Sequence, residues 1–360
     1  MHRFAFMIHP LDITYFTQKF PIARYLPAGL LEGVIRYLPP LKASHITGVR
    51  SAHAETEGWF VACLLTTRQM LELPPELVTR QIIRTGRLAE KLGAEVLGLG
   101  AMTSVVGDAG ITVARNLNIA VTTGNSYTVA TAIEATEKAA AMMGIDLARA
   151  EVAVVGATGS IGAVCARVLA RRCQGLTLIA RNETKLARLA GEIKDATGLK
   201  ARTSGHSREA LRRADVIITV TSAADTVIEP EDLKPGAVVC DVARPRDVSR
   251  QVAERRDDVL VIDGGVVEVP GNVNFNLNFG YPPGLAYACM AETMILALEG
   301  RIENFTLGRD LTVEQVDTIN QLAAKHGFRV AGFRSFELPV PEARVDAIRE
   351  RARHKVALAR

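Results

Sequence analysis

Short apolar runs alternate with amphipathic stretches along the chain, which is the pattern of an α/β protein. The runs of the first part predict strands at Phe4–Ile8, Glu57–Leu65, Val96–Leu99 and Ile119–Thr122, and helices at Tyr25–Leu38, Pro75–Leu92 and Thr128–Met143. Those of the second part predict strands at Val152–Val155, Leu176–Ala180, Ala214–Thr219, Ala237–Asp241 and Val259–Ile262. After an asparagine-rich loop, the chain predicts a very apolar helix at Leu285–Leu298.

Three glycines after the strand at Val152–Val155 are the most informative motif of the sequence. Gly156, Gly159 and Gly162 have the spacing G-x-x-G-x-x-G, and an amphipathic helix follows them. The first glycine permits a tight turn, the second lets the backbone approach a pyrophosphate, and the third lets helix and strand pack closely. The pattern predicts a dinucleotide site with the helix amino terminus facing the phosphates. The further cofactor contacts expected in this turn are Thr158, Ser160 and Ile161.

The end of the next predicted strand indicates which nicotinamide cofactor binds. NAD-binding units usually place Asp or Glu about 20 residues after the glycines, where the carboxylate binds the ribose 2′-hydroxyl. This chain has Arg181 there, followed by Asn182, and a guanidinium can form paired charged hydrogen bonds with a 2′-phosphate. NADPH is therefore expected rather than NADH, the alternative for Arg181 being an ordinary solvated strand end. Thr221 and Gly264 follow later strands, at the sheet edge where ligands bind in this architecture.

These patterns predict an α/β fold with three regions. Residues 1–145 are expected to form a smaller amino-terminal α/β substrate domain. Residues 146–270 are expected to form the NADP-binding domain, a Rossmann-type doubly wound parallel sheet. Residues 271–360 are expected to form a helical carboxyl-terminal region that carries the candidate nucleophile.

Composition and charge argue against several other classes of protein. The chain has 360 residues, of which 48% are hydrophobic and 23% are charged. Its net charge is only +4 and its basic residues are interspersed with acidic ones, so nucleic-acid binding is not expected. Its five scattered cysteines and the lack of a signal-peptide pattern predict a cytoplasmic protein. The seven histidines form no zinc-ligand motif, and no apolar run reaches the ~20 residues of a membrane-spanning helix.

Cys289 is the candidate nucleophile because it falls near the start of the apolar helix. A helix amino terminus lowers the pKa of a thiol and favours the reactive thiolate. Buried cysteine is also common in apolar cores, so a structural role is the alternative. Glu292, one turn later, is the candidate for proton or water chemistry. Ser126 lies in the turn before the helix at Thr128–Met143, where it is expected either to help stabilise an oxyanion or to cap that helix.

Blocks around these candidates resemble one family, the long-chain fatty acyl-(acyl-carrier-protein) reductases best known from cyanobacteria. The matching blocks are TGVRSAHAETEGWFVACLL (47–65), TTGNSYT (122–128), VAVVGATGSIG (152–162), LIARN (178–182), DGGVVE (263–268), ACMAETMILALEG (288–300) and KHGF (325–328). They are collinear and cover most of residues 45–328. The resemblance implies that Cys289 takes an acyl group as a thioester, which NADPH reduces to a fatty aldehyde. The expected acyl donor is an acyl-carrier protein or acyl-CoA.

Two other functions stay open at the level of sequence. A shikimate-type NADP-dependent alcohol dehydrogenase would share the order of domains, although no matching lysine motif surrounds Lys42 or Asp108. A non-catalytic NADPH-binding protein would bind the cofactor without turnover. Further expected partners are an enzyme that consumes the aldehyde and, through the apolar segment Tyr25–Leu38, a membrane surface, although an ordinary core helix is the favoured interpretation of that segment.

Overall fold

The structure is a computed structural model that describes residues 1–14, 28–205, 208–221, 223, 227–243 and 245–358. The described strands are β1 (Arg3–Ile8), β2 (Leu41–Arg50), β3 (Glu55–Ala62), β4 (Val96–Leu99), β5 (Ala120–Thr122), β6 (Glu151–Val155), β7 (Gly175–Ile179), β8 (Arg202–Ser204), β9 (Val216–Thr219), β10 (Val238–Asp241), β11 (Leu260–Asp263), β12 (Val266–Glu268), β13 (Gly271–Asn274), β14 (Leu285–Tyr287), β15 (Arg329–Val330), β16 (Arg334–Ser335) and β17 (Leu338–Pro339). The described helices are α1 (Ala28–Ile35), α2 (Thr67–Glu72), α3 (Pro75–Lys91), α4 (Ile111–Arg115), α5 (Asn125–Met142), α6 (Ser160–Leu169), α7 (Glu183–Thr197), α8 (Arg208–Arg213), α9 (Arg250–Arg255), α10 (Ala288–Glu299), α11 (Val313–His326) and α12 (Glu342–Leu358).

The chain forms two compact units, each assembled from separate stretches of sequence. The first unit comprises Met1–Asn125, Glu268–Asp310 and Thr318–Arg329. The second unit comprises Ser126–Val267, Leu311–Asp317 and Val330–Arg360. The first unit is therefore completed by residues that follow most of the second unit in the chain.

The first unit is built on a six-stranded mixed sheet with the strand order β13-β2-β3-β1-β4-β5. Strands β1, β3, β4 and β5 run parallel, whereas β2 and β13 are antiparallel to their neighbours. Successive side chains of a strand point to opposite faces of the sheet. In β4, Leu97 and Leu99 therefore share one face, where they pack in a core with Val78 and Ile82 of α3.

The second unit is built on a six-stranded sheet with the strand order β11-β10-β9-β6-β7-β8, and all its strands are parallel. Counted from β6, this is the 3-2-1-4-5-6 arrangement of the Rossmann fold. Except for the polar edge strand β8, its strands are nearly continuous apolar runs because helices cover both faces of such a sheet. The predicted α/β fold class and its doubly wound parallel sheet are confirmed.

Most predicted strands and helices are confirmed, but two boundaries near the candidate nucleophile are wrong. Leu285–Tyr287 forms strand β14, so the apolar helix α10 begins at Ala288 instead of Leu285. Helix α5 begins at Asn125 instead of Thr128, so the turn after β5 is shorter than predicted. Both corrections bring a candidate side chain into the first turn of a helix.

The apolar segment Tyr25–Leu38 is only partly described. Its central part forms helix α1 at Ala28–Ile35, as predicted, whereas residues 25–27 lie outside the described residues. Ile35 is buried, whereas Leu30 and Val34 are exposed. The helix therefore combines a buried position with an exposed apolar surface.

Helix α10 packs against β1, β3 and β4 of the first unit. Gly98 of β4 allows this close approach, because a Cβ atom there would lie 2.1 Å from Thr293 Oγ1 and 2.6 Å from a ring carbon of Phe6. Every residue of α10 from Met290 to Leu298 is buried, which explains why the helix is apolar on nearly all sides. Despite this composition, no helix among the described residues is long and apolar enough to cross a membrane.

The contact between Gly98 and Thr293 predicts that Gly98→Ala destabilises the protein. The added methyl group must displace α10 or the Phe6 ring, and overpacking of this kind costs about 1–3 kcal/mol. Thermal unfolding followed by circular dichroism should show a lower midpoint. The control is Gly191→Ala in α7, where a Cβ atom meets nothing within 4 Å, and its midpoint should stay equal or rise. An unchanged midpoint for Gly98→Ala would contradict this account of the packing.

Candidate functional site

The predicted nucleophile, Cys289, is the second residue of helix α10 and is half-buried. Tyr287, before the helix, is extended, with φ −69° and ψ 144°, and no side chain caps the first turn. The first amide groups of a helix have no partner within it, and the helix dipole favours negative charge at this end. Cys289 therefore lies in the first turn of the helix, one turn closer to its amino terminus than a helix start at Leu285 would place it.

None of the other four cysteines lies in the first turn of a helix, and three of them are fully buried. Cys63, Cys165 and Cys240 are buried, and Cys173 is half-buried beyond the end of α6. Burial raises the pKa of the Cys63 thiol and of the Cys173 thiol to about 11 each, and it also raises that of Cys165. At neutral pH these three groups are protonated thiols, which are poor nucleophiles.

The backbone of Gly124 lies directly against Cys289. A Cβ atom at residue 124 would lie 2.4 Å from both the Cα and the Cβ of Cys289, and 2.7 Å from its carbonyl oxygen. Gly124 also has a left-handed conformation, with φ +74°. Both observations require glycine at this position, because a side chain would push the nucleophile away and strain the turn.

Glu292, the second predicted catalytic residue, is fully buried in a hydrogen-bonded cluster of the first unit. Its Oε1 accepts a hydrogen bond from Thr122 Oγ1 at 2.5 Å and another from Thr306 Oγ1 at 2.8 Å. The backbone N–H of Thr306 in turn donates to Thr122 Oγ1 at 3.3 Å. The carboxylate thus joins α10, the end of β5 and the segment after α10, which fixes the helix that carries Cys289. Thr306 was not identified from sequence, and Thr122 was identified only as part of the turn before α5.

Ser126, the third predicted catalytic residue, is fully buried in the first turn of α5. Its predicted contribution to an oxyanion site stays a prediction. The neighbouring Thr123 is also buried, and its hydroxyl has no hydrogen-bond partner among the described residues. The turn between β5 and α5 therefore contains a hydroxyl whose hydrogen-bonding capacity is unused in the part of the chain described.

The predicted glycine turn of the second unit has the conformation that a dinucleotide site requires. Gly156 has φ +81°, and a Cβ atom there would lie 2.9 Å from the carbonyl oxygen of Val220. A Cβ atom on Gly162 would lie 2.3 Å from the Gly156 carbonyl oxygen, so this glycine lets α6 approach the turn. Gly159 precedes α6 and is exposed, and the half-buried residues of the turn are Thr158, Ser160 and Ile161.

The amino terminus of α6 fits the pyrophosphate of a dinucleotide. Its N-cap residue, Gly159, has no side chain that could cap the helix, so the first backbone amides can face an anion. Ser160 Oγ is buried and has no hydrogen-bond partner among the described residues. A phosphate oxygen would supply the missing acceptor, so the residues present fit the cofactor predicted from the glycine spacing.

Arg181 and Asn182 lie exposed at the end of β7. Asn182 Oδ1 accepts a hydrogen bond from the Lys185 N–H at 2.9 Å and thereby caps α7. This capping role accounts for Asn182 independently of any ligand. Arg181 forms no ion pair within the described part of the chain, so its guanidinium charge is not neutralised there.

Thr221 is held by Asp247, a residue that the sequence reasoning missed. Asp247 is fully buried, and it accepts hydrogen bonds from the Thr221 N–H at 2.9 Å, from Thr221 Oγ1 at 2.5 Å and from Thr219 Oγ1 at 2.5 Å. The loop fixed in this way is the one that lies against Gly156. Asp247 therefore positions the cofactor turn through Thr221. Its only sequence signal is an acid a few residues after a predicted strand, which is too common to be diagnostic.

Gly264 is buried at the end of β11. A Cβ atom there would lie 2.6 Å from Val242 Cγ2 and 2.9 Å from Cys240 Sγ, so internal packing alone requires glycine. Its predicted contact with the cofactor stays a prediction. Among the residues described, no group of three or more histidine, cysteine or acidic side chains could hold a metal ion.

Comparisons with known proteins match part of the second unit to a family and most of the chain to two relatives. Residues 137–263 match the Shikimate / quinate 5-dehydrogenase family. The chain is 32% identical over 329 residues to the aminotransferase PigE of a Serratia species, a match that covers 90% of this chain and 38% of that protein. It is 29% identical over 306 residues to a long-chain acyl-[acyl-carrier-protein] reductase of Synechococcus elongatus, covering 81% of this chain and 87% of that protein. A solved quinate dehydrogenase from Corynebacterium glutamicum, in complex with NAD, is similar with a TM-score of 0.36 and 14% identity over 72% of this chain and 87% of that chain.

The family match and the glycine turn define the class of the second unit. It is a Rossmann-type unit that binds a nicotinamide cofactor. The chain spans 38% of the length of PigE, the first of these relatives.

The contact between Gly124 and Cys289 predicts that Gly124→Ala impairs the candidate nucleophile. The methyl group must displace Cys289. The rate at which iodoacetamide alkylates this cysteine, measured by peptide mass mapping, should therefore fall at least several-fold. The variant should also lose about 2 kcal/mol or more of stability from strain and overpacking. The control is Gly144→Ala, which has a similar φ of +75° but no atom closer than 3.9 Å to the added Cβ. Equal alkylation rates in the two variants would show that the close approach does not matter.

Proposed function

We propose that the protein reduces a long-chain fatty acyl thioester to a fatty aldehyde, with NADPH as reductant and an acyl-Cys289 intermediate. The observation that carries the proposal is the position of Cys289, a half-buried thiol in the first turn of a helix, with the Gly124 backbone against it. The similarity to the acyl-[acyl-carrier-protein] reductase of Synechococcus elongatus supports this choice of substrate class. The proposed acyl donor is an acyl-carrier protein or acyl-CoA.

In the proposed mechanism, the Cys289 thiolate attacks the carbonyl carbon of the acyl thioester. A new carbon–sulfur bond forms to Cys289, the bond to the carrier sulfur breaks, and the carrier leaves as a thiol after it takes up a proton. Bound NADPH supplies a hydride for the carbonyl carbon of the acyl-enzyme. Collapse of the resulting thiohemiacetal breaks the bond to Cys289, which releases the aldehyde and regenerates the thiolate. The amides at the start of α10 favour the thiolate in both halves of this cycle.

Glu292 is proposed to act on Cys289 by fixing α10. Its described hydroxyl partners, Thr122 and Thr306, both donate hydrogen bonds to Oε1 of the carboxylate. Two further proposals follow from the sequence. Glu292 takes part directly in proton transfer, and Ser126 stabilises the oxyanion. Replacement by glutamine keeps the shape of Glu292 but removes its charge, which separates these roles by the pH dependence of turnover.

The proposed preference for NADPH depends on Arg181. Arg181→Ala should weaken NADPH binding about 10- to 100-fold and leave NADH binding nearly unchanged, because charged hydrogen bonds contribute ~1.5–3 kcal/mol. Fluorescence titration with each reduced cofactor measures both dissociation constants. The control is Arg188→Ala, an exposed arginine of the following helix that pairs with Glu192. Equal effects of Arg181→Ala on the two cofactors would assign this arginine no role in their discrimination.

A second candidate function, oxidation of a hydroxylated ring acid of the shikimate or quinate type, is favoured by the family match at residues 137–263. That match covers the Rossmann-type unit and not Cys289, so it fits either activity. The two proposals differ in their dependence on the thiol, because a shikimate-type dehydrogenase transfers hydride without an acyl-enzyme. Oxidation of shikimate or quinate that survives Cys289→Ser would favour this candidate.

The acyl-enzyme itself is the most direct test of the proposed function. Purified protein is incubated with palmitoyl-CoA or palmitoylated carrier protein without NADPH, and its intact mass is measured. We expect an added palmitoyl group on the wild type and none on Cys289→Ser, with Cys173→Ser as the matched control that keeps the adduct. Addition of NADPH should remove the group and release hexadecanal. An enzyme that binds NADPH but forms no adduct with either donor would disprove the proposal.

The aldehyde product suggests the class of enzyme that acts next. Aldehydes are reactive, so a partner that consumes them directly is proposed. An aminotransferase is chemically suited to this step because it converts a carbonyl group into an amine, and the similarity to PigE supports this choice.

A further inference from the structure

The segment from Val273 to Tyr281 alternates between apolar and polar side chains. Its polar positions, all exposed, are Asn274, Asn276, Asn278 and Gly280. Its apolar positions become less buried along the chain: Val273 and Phe275 are buried, whereas Leu277, Phe279 and Tyr281 are half-buried. Strand β13 ends at Asn274, and the burial of the apolar side chains after it decreases as the chain approaches α10.

Three aromatic rings of this segment, together with one ring before it and one after it in the chain, form a continuous row. We call this set the aromatic row: Phe60, Phe275, Phe279, Tyr281 and Tyr287. The row begins at Phe60 of β3, which is fully buried. Phe279 lies at its centre, with ring centroids 5.8 Å from Phe60, 5.1 Å from Phe275, and 6.3 Å from both Tyr281 and Tyr287. Tyr281 and Tyr287 close the row at 4.9 Å.

The row ends next to the nucleophile. Tyr287 directly precedes α10, and Cys289 is two residues later, so their Cα atoms are at most about 7 Å apart. Both residues are half-buried. An acyl group on Cys289 is therefore attached two residues from the last ring of a row that leads back to the buried Phe60.

We infer that the aromatic row is the subsite that binds the hydrocarbon chain of the thioester, with Phe279 as its main contact. This inference rests on the proposed function and assigns the long-chain part of the substrate to named residues. A chain attached at Cys289 must be shielded from water along its length, and half-buried aromatic rings offer a large apolar area for this purpose. The exposed asparagines on the alternate positions keep the rest of the segment compatible with solvent.

The experiment measures how the acylation rate of Cys289 depends on the length of the acyl chain. Wild-type protein, Phe279→Ala and the control Leu71→Ala, which removes an exposed leucine of the same unit, are treated with butyryl-, octanoyl- and palmitoyl-CoA without NADPH. Intact mass gives the rate of adduct formation. Since each buried methylene contributes up to about fourfold, the wild type should prefer palmitoyl-CoA strongly. Phe279→Ala should lose at least about tenfold with palmitoyl-CoA and less than about twofold with butyryl-CoA.

Each alternative result has a distinct meaning. Equal losses at all chain lengths would give Phe279 a purely structural role and overturn the subsite. A wild type that forms adducts at a rate independent of chain length would also overturn it, while the proposed function would stand. Absence of any adduct would reject the proposed function and the subsite with it. If Phe279→Ala does not fold, a binding measurement with the fluorescent fatty acid cis-parinarate replaces it. The two proteins compared are Cys289→Ser and the double variant Cys289→Ser with Phe279→Leu. Equal affinities of the two proteins for this fatty acid would overturn the subsite.

Discussion

The approach of the Gly124 backbone to Cys289 is the contact on which the arrangement of the candidate site depends. A Cβ atom at residue 124 would lie 2.4 Å from the Cα and the Cβ of Cys289, so Cys289 can occupy its position only because residue 124 has no side chain. A second missing side chain, at Gly98, lets the whole of α10 lie close to β4. Packing of backbone against helix is rigid because it contains no rotatable side chain on one side. Two close backbone approaches therefore hold the helix that carries the thiol.

Polar contacts then fix what steric fit alone leaves free. Glu292 accepts hydrogen bonds from two threonines that are separated from it by 170 and 14 residues in the chain. In the second unit, Asp247 performs the same task for the loop at Thr221, which lies against the glycine turn. A buried carboxylate is costly unless its oxygens are hydrogen-bonded, and both of these acids have such partners. Each unit thus uses one buried acid to hold the loop or helix next to its predicted chemistry.

The sequence was sufficient for the features that depend on local periodicity, and insufficient for those that depend on tertiary contact. The glycine turn and the strands of the Rossmann-type sheet are predictable because each is written in consecutive residues with a known spacing. The start of α10 was misplaced because Leu285–Tyr287 is as apolar as the helix that follows it. A strand of three residues is also too short for its alternation to be recognised in the sequence. The roles of Thr122, Thr306 and Asp247 could not be predicted, because ordinary residues become partners only when distant segments meet. The aromatic row has a visible alternation in the sequence, but only the structure shows that it joins Phe60 to Tyr287.

The division of the first unit among three stretches of chain has a consequence for how the protein is made. Strand β13 is part of the mixed sheet of the first unit, and helix α10 packs against that sheet. Both emerge from the ribosome after the whole Rossmann-type sheet. Domains fold as they are synthesised, and contacts between distant segments must wait for both partners. The Rossmann-type sheet of the second unit can therefore form on a nascent chain whose first unit still lacks an edge strand and the helix that carries Cys289. Synthesis order alone delays assembly of Cys289 on its supporting sheet until the strands of the cofactor-binding sheet have been made.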